Sequence, residues 1–140
     1  MLRSGFAIAV LFVGLILPHG MAQEATRSLD DLLSALEASS EAARAEAAAT
    51  IAALDKDAGE AVPALVKLLD DPSPDVRSSA ALALGQIGID DEAAIAALLI
   101  RLDDAELRSD DVPVWVFAAR ALGLLGPKSV PRLIAKLSAD

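Results

Sequence analysis

A chain of 140 residues with no Cys, no Tyr and one His (His19) lacks the side chains on which most catalysis and soft-metal binding at neutral pH depend. Its 21 acidic and 12 basic residues give a net charge of −9, which argues against a nucleic-acid partner, whose phosphates need a basic stripe. No disulfide is available, so the 54% apolar content must carry the stability through buried faces.

From the N-terminus, Arg3 is followed by twelve uncharged residues, Phe6 to Leu17, then Pro18 and Gly20 and the small residues Gly20 and Ala22. This order reads as a secretory signal over residues 1–22, cut before Gln23, and its apolar run is short of the roughly 20 residues a membrane span needs. The expectation is an exported protein, periplasmic or extracellular and bacterial, with no stable membrane anchor once the signal is removed. With Arg3 set aside, 11 basic and 21 acidic residues leave −10. Residues 23–28 form a short leader, and Ser28 is placed to cap a helix whose first turn holds Asp30 and Asp31.

From Leu29 onward one pattern recurs. Its clearest copy is Val62 to Gly88. Val62, Leu65, Val66, Leu68 and Leu69 are spaced for a helix that Asp70, Asp71, Pro72 and Pro74 end; Ser73 and Pro74 open a second helix carrying Val76, Ala80, Leu84 and Ile87, and Gly88 stops it. Shifted back by 33 residues, Leu29, Leu32, Leu33 and Leu36 match the first helix, and Arg44, Ala47, Ile51 and Leu54 match the second. Shifted forward by 33, Ile95, Leu98, Leu99 and Leu102 match, with Asp103 and Asp104 on Asp70 and Asp71. The next second helix, Val114 to Leu125, follows a five-residue insertion. Val130, Pro131, Leu133, Ile134 and Leu137 repeat a first helix only. The units are therefore 29–55, 62–88, 95–126 and a half unit 130–137, which leaves open a lone capping helix, an edge that pairs with another chain, or a truncation. Helix pairs this short are marginal alone, so the copies must stack.

The pattern V-P-x-L-[VI]-x-x-L-x-D-x-x-P-x-V-R-x-x-A-A-x-A-L-G-x-[IL]-G resembles the HEAT repeat, specifically the short type first associated with phycocyanobilin lyase subunits. The resemblance covers residues 29–137 and implies an all-α, right-handed α-solenoid of stacked antiparallel helix pairs, about three and a half repeats long. It does not transfer lyase activity. It implies that second helices line a concave face. Glu46, Ser79 and Phe117 then form one row, Ala49, Leu82 and Arg120 the next, and Ala53, Gln86 and Leu124 the third. Phe117, Arg120, Leu82, Ser79, Gln86, Leu124 and Glu46 are the candidate partner-binding residues, since aromatic and Arg side chains dominate interaction hot spots. Trp115 stands where the pattern has Arg and is expected to fill the core; for Phe117, core and groove stand level. The resemblance also implies inter-repeat bonding by Arg44, Asp75 and Arg77, with Asp75 paired to Arg44 or Arg77.

No catalytic, cofactor or metal residues are assigned. The stretch from Asp55 has Gly59-Glu60 where a calcium loop needs an Asx-Gly pair and no Glu at the twelfth position, and Gly126 to Ser129 lacks the earlier Gly of a phosphate loop while Pro127 removes a needed N–H. The acidic insertion Ala105 to Pro113 reads as a solvated loop. The expected function is a non-catalytic binding or scaffold module for a protein or peptide; the alternatives are an accessory subunit of a bilin-lyase-like or other enzyme, or a truncated repeat protein without its own function.

Overall fold

The computed structural model describes residues 27–88 and 90–139. The signal segment and most of the leader inferred above lie outside these residues. Among these described residues seven α-helices follow one another: α1 (Leu29–Ala35), α2 (Glu41–Ala52), α3 (Val62–Leu68), α4 (Pro74–Ile87), α5 (Glu92–Arg101), α6 (Val114–Leu125) and α7 (Val130–Leu137). Two 3₁₀ segments, Asp55–Ala61 and Gly126–Lys128, join α2 to α3 and α6 to α7. Among the described residues there is no strand beyond an isolated bridge between Leu107 and Pro113. No helix among them is long and apolar enough to cross a membrane.

Local chemistry sets the helix ends. Ser28 and Asp31 form a reciprocal capping box, the Ser28 Oγ accepting from the Asp31 amide while the Asp31 carboxylate accepts from the Ser28 amide. Ser40 caps α2, and Asp91 caps α5 by accepting from the Ala94 amide at 2.8 Å. Ser73 has the extended backbone of an N-cap, but its side chain makes no capping bond. Its amide donates to Asp71 Oδ1 at 3.0 Å, which fixes the turn leading into the helix. Gly88 closes α4 at φ +66°, a left-handed conformation natural for glycine. Asp55 stands at the corresponding place after α2 and holds φ +50°, which a short polar side chain tolerates.

The helices associate as pairs, α1 with α2, α3 with α4 and α5 with α6. The second members α2, α4 and α6 also pack directly on one another, more closely than the first members do. The core is filled by the patterned positions: Leu32, Leu36, Ile51, Leu65, Leu69, Leu84, Ile87, Leu98 and Leu122 are all buried. Alanines at the helix contacts, Ala47, Ala80, Ala81, Ala83, Ala118 and Ala121, bring the axes close. The tightest approach is at Gly85, where an added Cβ would lie 2.6 Å from the Ala121 Cα.

Gly123 occupies the equivalent place on α6, and a Cβ there would meet nothing within 4 Å. The two glycines should therefore respond with opposite signs to the same change. Gly123→Ala gains helix propensity and is expected to stabilise by up to about 1 kcal/mol. Gly85→Ala forces α4 and α6 apart and is expected to destabilise by about 1–3 kcal/mol despite the same propensity gain. Urea unfolding of both variants against wild type measures this; a stabilised Gly85→Ala would contradict the α4–α6 crossing.

Candidate interaction surface

Two side chains at the start of second helices tie each pair to the next. Arg44, in the first turn of α2, grips Asp71 beyond α3 with two parallel bonds, Nε to Oδ2 at 2.8 Å and Nη2 to Oδ1 at 2.9 Å. Its Nη1 donates back to the Ala38 and Ser39 carbonyls of its own pair. One repeat later, Arg77 does the same. It meets Asp104 at 2.7 and 3.2 Å, donates from Nη1 to the Asp71 and Pro72 carbonyls, and adds Glu106 at 2.8 Å. Each guanidinium thus closes the turn of one pair and holds the aspartate of the following pair. The planar fork makes both possible at once. Arg101 borders the second rung, reaching Asp70 at 3.3 Å and the Leu69 carbonyl at 3.2 Å.

These contacts correct the pairing expected from sequence. Asp75 bonds neither Arg44 nor Arg77, because both forks are saturated by the aspartates that follow α3 and α5. Asp75 instead accepts from the Ser109 amide at 3.2 Å, the Ser109 hydroxyl at 2.9 Å and Arg108 Nε at 3.2 Å. The insertion is therefore docked on the start of α4 rather than free in solvent. Arg108 is its lone cation, and the guanidinium also lies 4.5 Å from the Phe117 ring centroid. The sequence carried one signal of this arrangement, a single Arg in an otherwise acidic stretch.

Burial would raise the Asp71 carboxyl, but hydrogen bonds from Arg44 and the Ser73 amide overcome it and hold the group below its ordinary value. Asp75 is likewise lowered, burial being outweighed by Ser109 and Arg108. Hydrogen bonding to Asp71 raises Arg44. Burial works against the Arg77 charge, yet Asp104 and Glu106 carry its value upward.

The outward stripes of the second helices lie side by side. On α4, Ser79 and Leu82 are half-buried and Gln86 is exposed; on α6, Phe117 is half-buried and Arg120 and Leu124 are exposed; on α2, Glu46, Ala49 and Ala53 are exposed. Within each helix these residues are spaced i, i+3, i+7, one face. Glu46 pairs with Arg27 at 3.3 Å. Phe117 packs on the core from beneath Arg108, so the ring is both core and surface. Leu124 is 51% exposed. Gln86 borders a cleft of about 640 Å³ with Ala53, Leu54, Asp55, Lys56 and Asp57. At the other ends of the helices, Glu41, Ala42, Ala45, Asp75 and Ser109 line one of about 310 Å³. Trp115 is 44% exposed and does not fill the core. It starts α6 with its amide bonded to the Asp104 carbonyl at 3.0 Å, and its ring faces outward where a ladder arginine would have reached onward.

Paired helices stacked at a 33-residue period, with second helices in contact and a repeated Arg–Asp link, define an all-α helical-repeat protein. The profile of the family described as HEAT repeats matches residues 29–110, more than half of the chain. The chain belongs to the HEAT-repeat family. Among curated proteins no match to it was found.

The ladder predicts a pH dependence. The Asp71 carboxyl is lowered in the folded chain, so its contribution to stability is present above its unfolded value of about 4 and lost as pH falls through the lower folded value. Asp71→Asn should cost about 3 kcal/mol at pH 7, since it leaves Arg44 without its anion. The gap between wild type and variant should shrink as pH drops below about 4, read from urea unfolding at a series of pH values. A gap constant with pH would contradict the lowered carboxyl.

Proposed function

We propose that this HEAT-repeat protein is a non-catalytic binding module that holds a protein or peptide segment across the face made by α2, α4 and α6. The observation that carries this is the composition of that face. Leu82, Leu124 and Phe117 offer apolar area beside Arg120 and Gln86, on helices whose backbones are fixed by packing on neighbouring helices. HEAT repeats usually serve protein–protein interaction, and the closer packing of the second helices favours curvature toward this face, a right-handed solenoid of about three and a half units. The Val-Pro, Val-Arg and Leu-Gly signature of residues 62–88 supports assigning the repeats to the short type first associated with phycocyanobilin lyase subunits. The single His19 and the absence of Cys support a role without catalysis, and the apolar run from Phe6 to Leu17 supports export.

Affinity capture from an extracytoplasmic extract tests the face. Wild-type chain is compared with Phe117→Ala/Arg120→Ala and with Leu124→Asp, a change at an exposed site that leaves the core intact. A protein retained by wild type and lost by both variants, with unchanged circular dichroism, is the expected result. Retention by all three chains, or by none, would sink the reading.

A further inference from the structure

Inside the first two helix pairs the connections are short, Leu36 to Ser40 and Leu69 to Ser73, whereas Leu102 to Pro113 joins α5 to α6. The extra length folds as a small hairpin. The Arg108 amide donates to the Val112 carbonyl at 3.0 Å, the Asp111 amide to the Arg108 carbonyl at 3.1 Å and the Val114 amide to the Glu106 carbonyl at 3.0 Å, with Leu107 bridged to Pro113. Asp111 takes φ +62° in the turn. These bonds close within the hairpin and survive if it moves as a unit. Its base is fixed separately, by the Glu106 carboxylate on Arg77 at 2.8 Å and the Glu106 amide on Asp104 Oδ1 at 3.3 Å.

The tip is held differently. Among the described residues its polar bonds to the body all end on one carboxylate, Asp75, which accepts from the Ser109 amide, the Ser109 hydroxyl and Arg108 Nε. The same guanidinium lies over the Phe117 ring. The rest of the hairpin turns outward: Leu107 is 55% exposed, and Ser109, Asp110 and Asp111 are exposed beside it. The clasp is also open to solvent in a way the ladder is not. The Arg108 and Asp75 side chains are 22% and 31% exposed, against 7% and 9% for Arg77 and Asp104. A competing group can therefore reach Asp75 where none can reach Asp104.

The clasp lies on the face proposed above for a partner. Asp75 opens α4, and Phe117 belongs to the outward stripe of α6. The Ser109 tip also forms one wall of the cleft of about 310 Å³ whose other walls are Asp75 and Glu41, Ala42 and Ala45 of α2. A segment laid across α2, α4 and α6 at this end meets the tip first. What the tip places there shows what the position accepts: a guanidinium with one edge on a carboxylate and its flat face on a phenyl ring. Glu41 adds a second carboxylate to the cleft wall, and the chain as a whole carries −9, so the surroundings favour a cation.

We propose that the hairpin before α6 is a strap that occupies the partner face of the free chain through Arg108, and that an arginine-bearing peptide segment of the partner displaces it from Asp75 and Phe117. This rests on the partner face proposed above and adds to it the chemistry of the occupant and a built-in competitor, which an incoming arginine must overcome because Arg108 is tethered at high effective concentration.

The probes are the pentapeptide acetyl-Ala-Leu-Arg-Leu-Ala-amide and its lysine counterpart, titrated into the full chain and followed by the amide resonances of Asp75, Ser109 and Phe117. The chains are wild type, Arg108→Ala/Ser109→Ala, which frees the strap at two sites outside the core, and the same pair with Asp75→Ala, which also removes the receptor; circular dichroism checks each fold. The freed strap is expected to lower the Kd for the arginine peptide about fivefold or more relative to wild type. The lysine peptide should bind the freed chain about threefold or more weakly, lacking the flat face. Asp75→Ala should abolish the gain. Arg108→Lys, a milder change, should lower the Kd in the same direction. Equal affinity for wild type and the freed chain, equal affinity for the two peptides, or binding of neither peptide by any chain overturns the proposal. Capture through Leu124 and Arg120 reads the wider face separately, so its loss with the peptide gain intact, or the reverse, shows which of the two readings has failed.

Discussion

The fold rests on the contact between successive second helices, and that contact needs two things at once: side chains small enough to let backbones approach, and something to fix how far each pair turns relative to the next. Ala80, Ala81, Gly85 and Ala121 supply the first. The bidentate links from Arg44 to Asp71 and from Arg77 to Asp104 supply the second. Small residues alone form a slippery interface with little preference for one register. A planar fork that must meet a carboxylate and two turn carbonyls admits one register. A buried ion pair of this kind adds modest net stability against an apolar replacement, and specification of geometry is the contribution it makes best.

Where the ladder stops, the surface changes character. At the third position Trp115 replaces the arginine and Ala139 stands in the place of the aspartate. The insertion before α6 then folds back along the stack, Arg108 and Ser109 binding Asp75 and covering Phe117. Loss of one rung and gain of one loop thus accompany two features that set the last helix pair apart: an exposed indole and a shielded phenyl ring.

Much of the fold was legible in the sequence because one 33-residue pattern repeats its apolar positions, and apolar periodicity reports burial directly. Leu32, Leu65 and Leu98 fall on one alignment column and are all buried. The ladder partners were less legible. Asp70, Asp71 and Asp75 are close in sequence, and only the turn after α3 decides which carboxylate points at Arg44; Asp70 remains outward and meets Arg101 instead. Spacing cannot distinguish neighbours whose difference is the direction of a side chain. The docking of Arg108 depends on a loop with no repeat to compare it against. Trp115 was misread for a related reason. An aromatic ring in a patterned position suggests core, yet this position points toward a next repeat that the described residues do not supply.

A double-mutant cycle on Arg77 and Asp104, using Arg77→Met and Asp104→Asn and urea unfolding at neutral pH, tests the central claim most directly. If the rung couples adjacent pairs, the two losses should fall short of additivity by about 1.5–3 kcal/mol. Losses that add to within about 0.5 kcal/mol would mean that the pairs are held in register by helix packing alone.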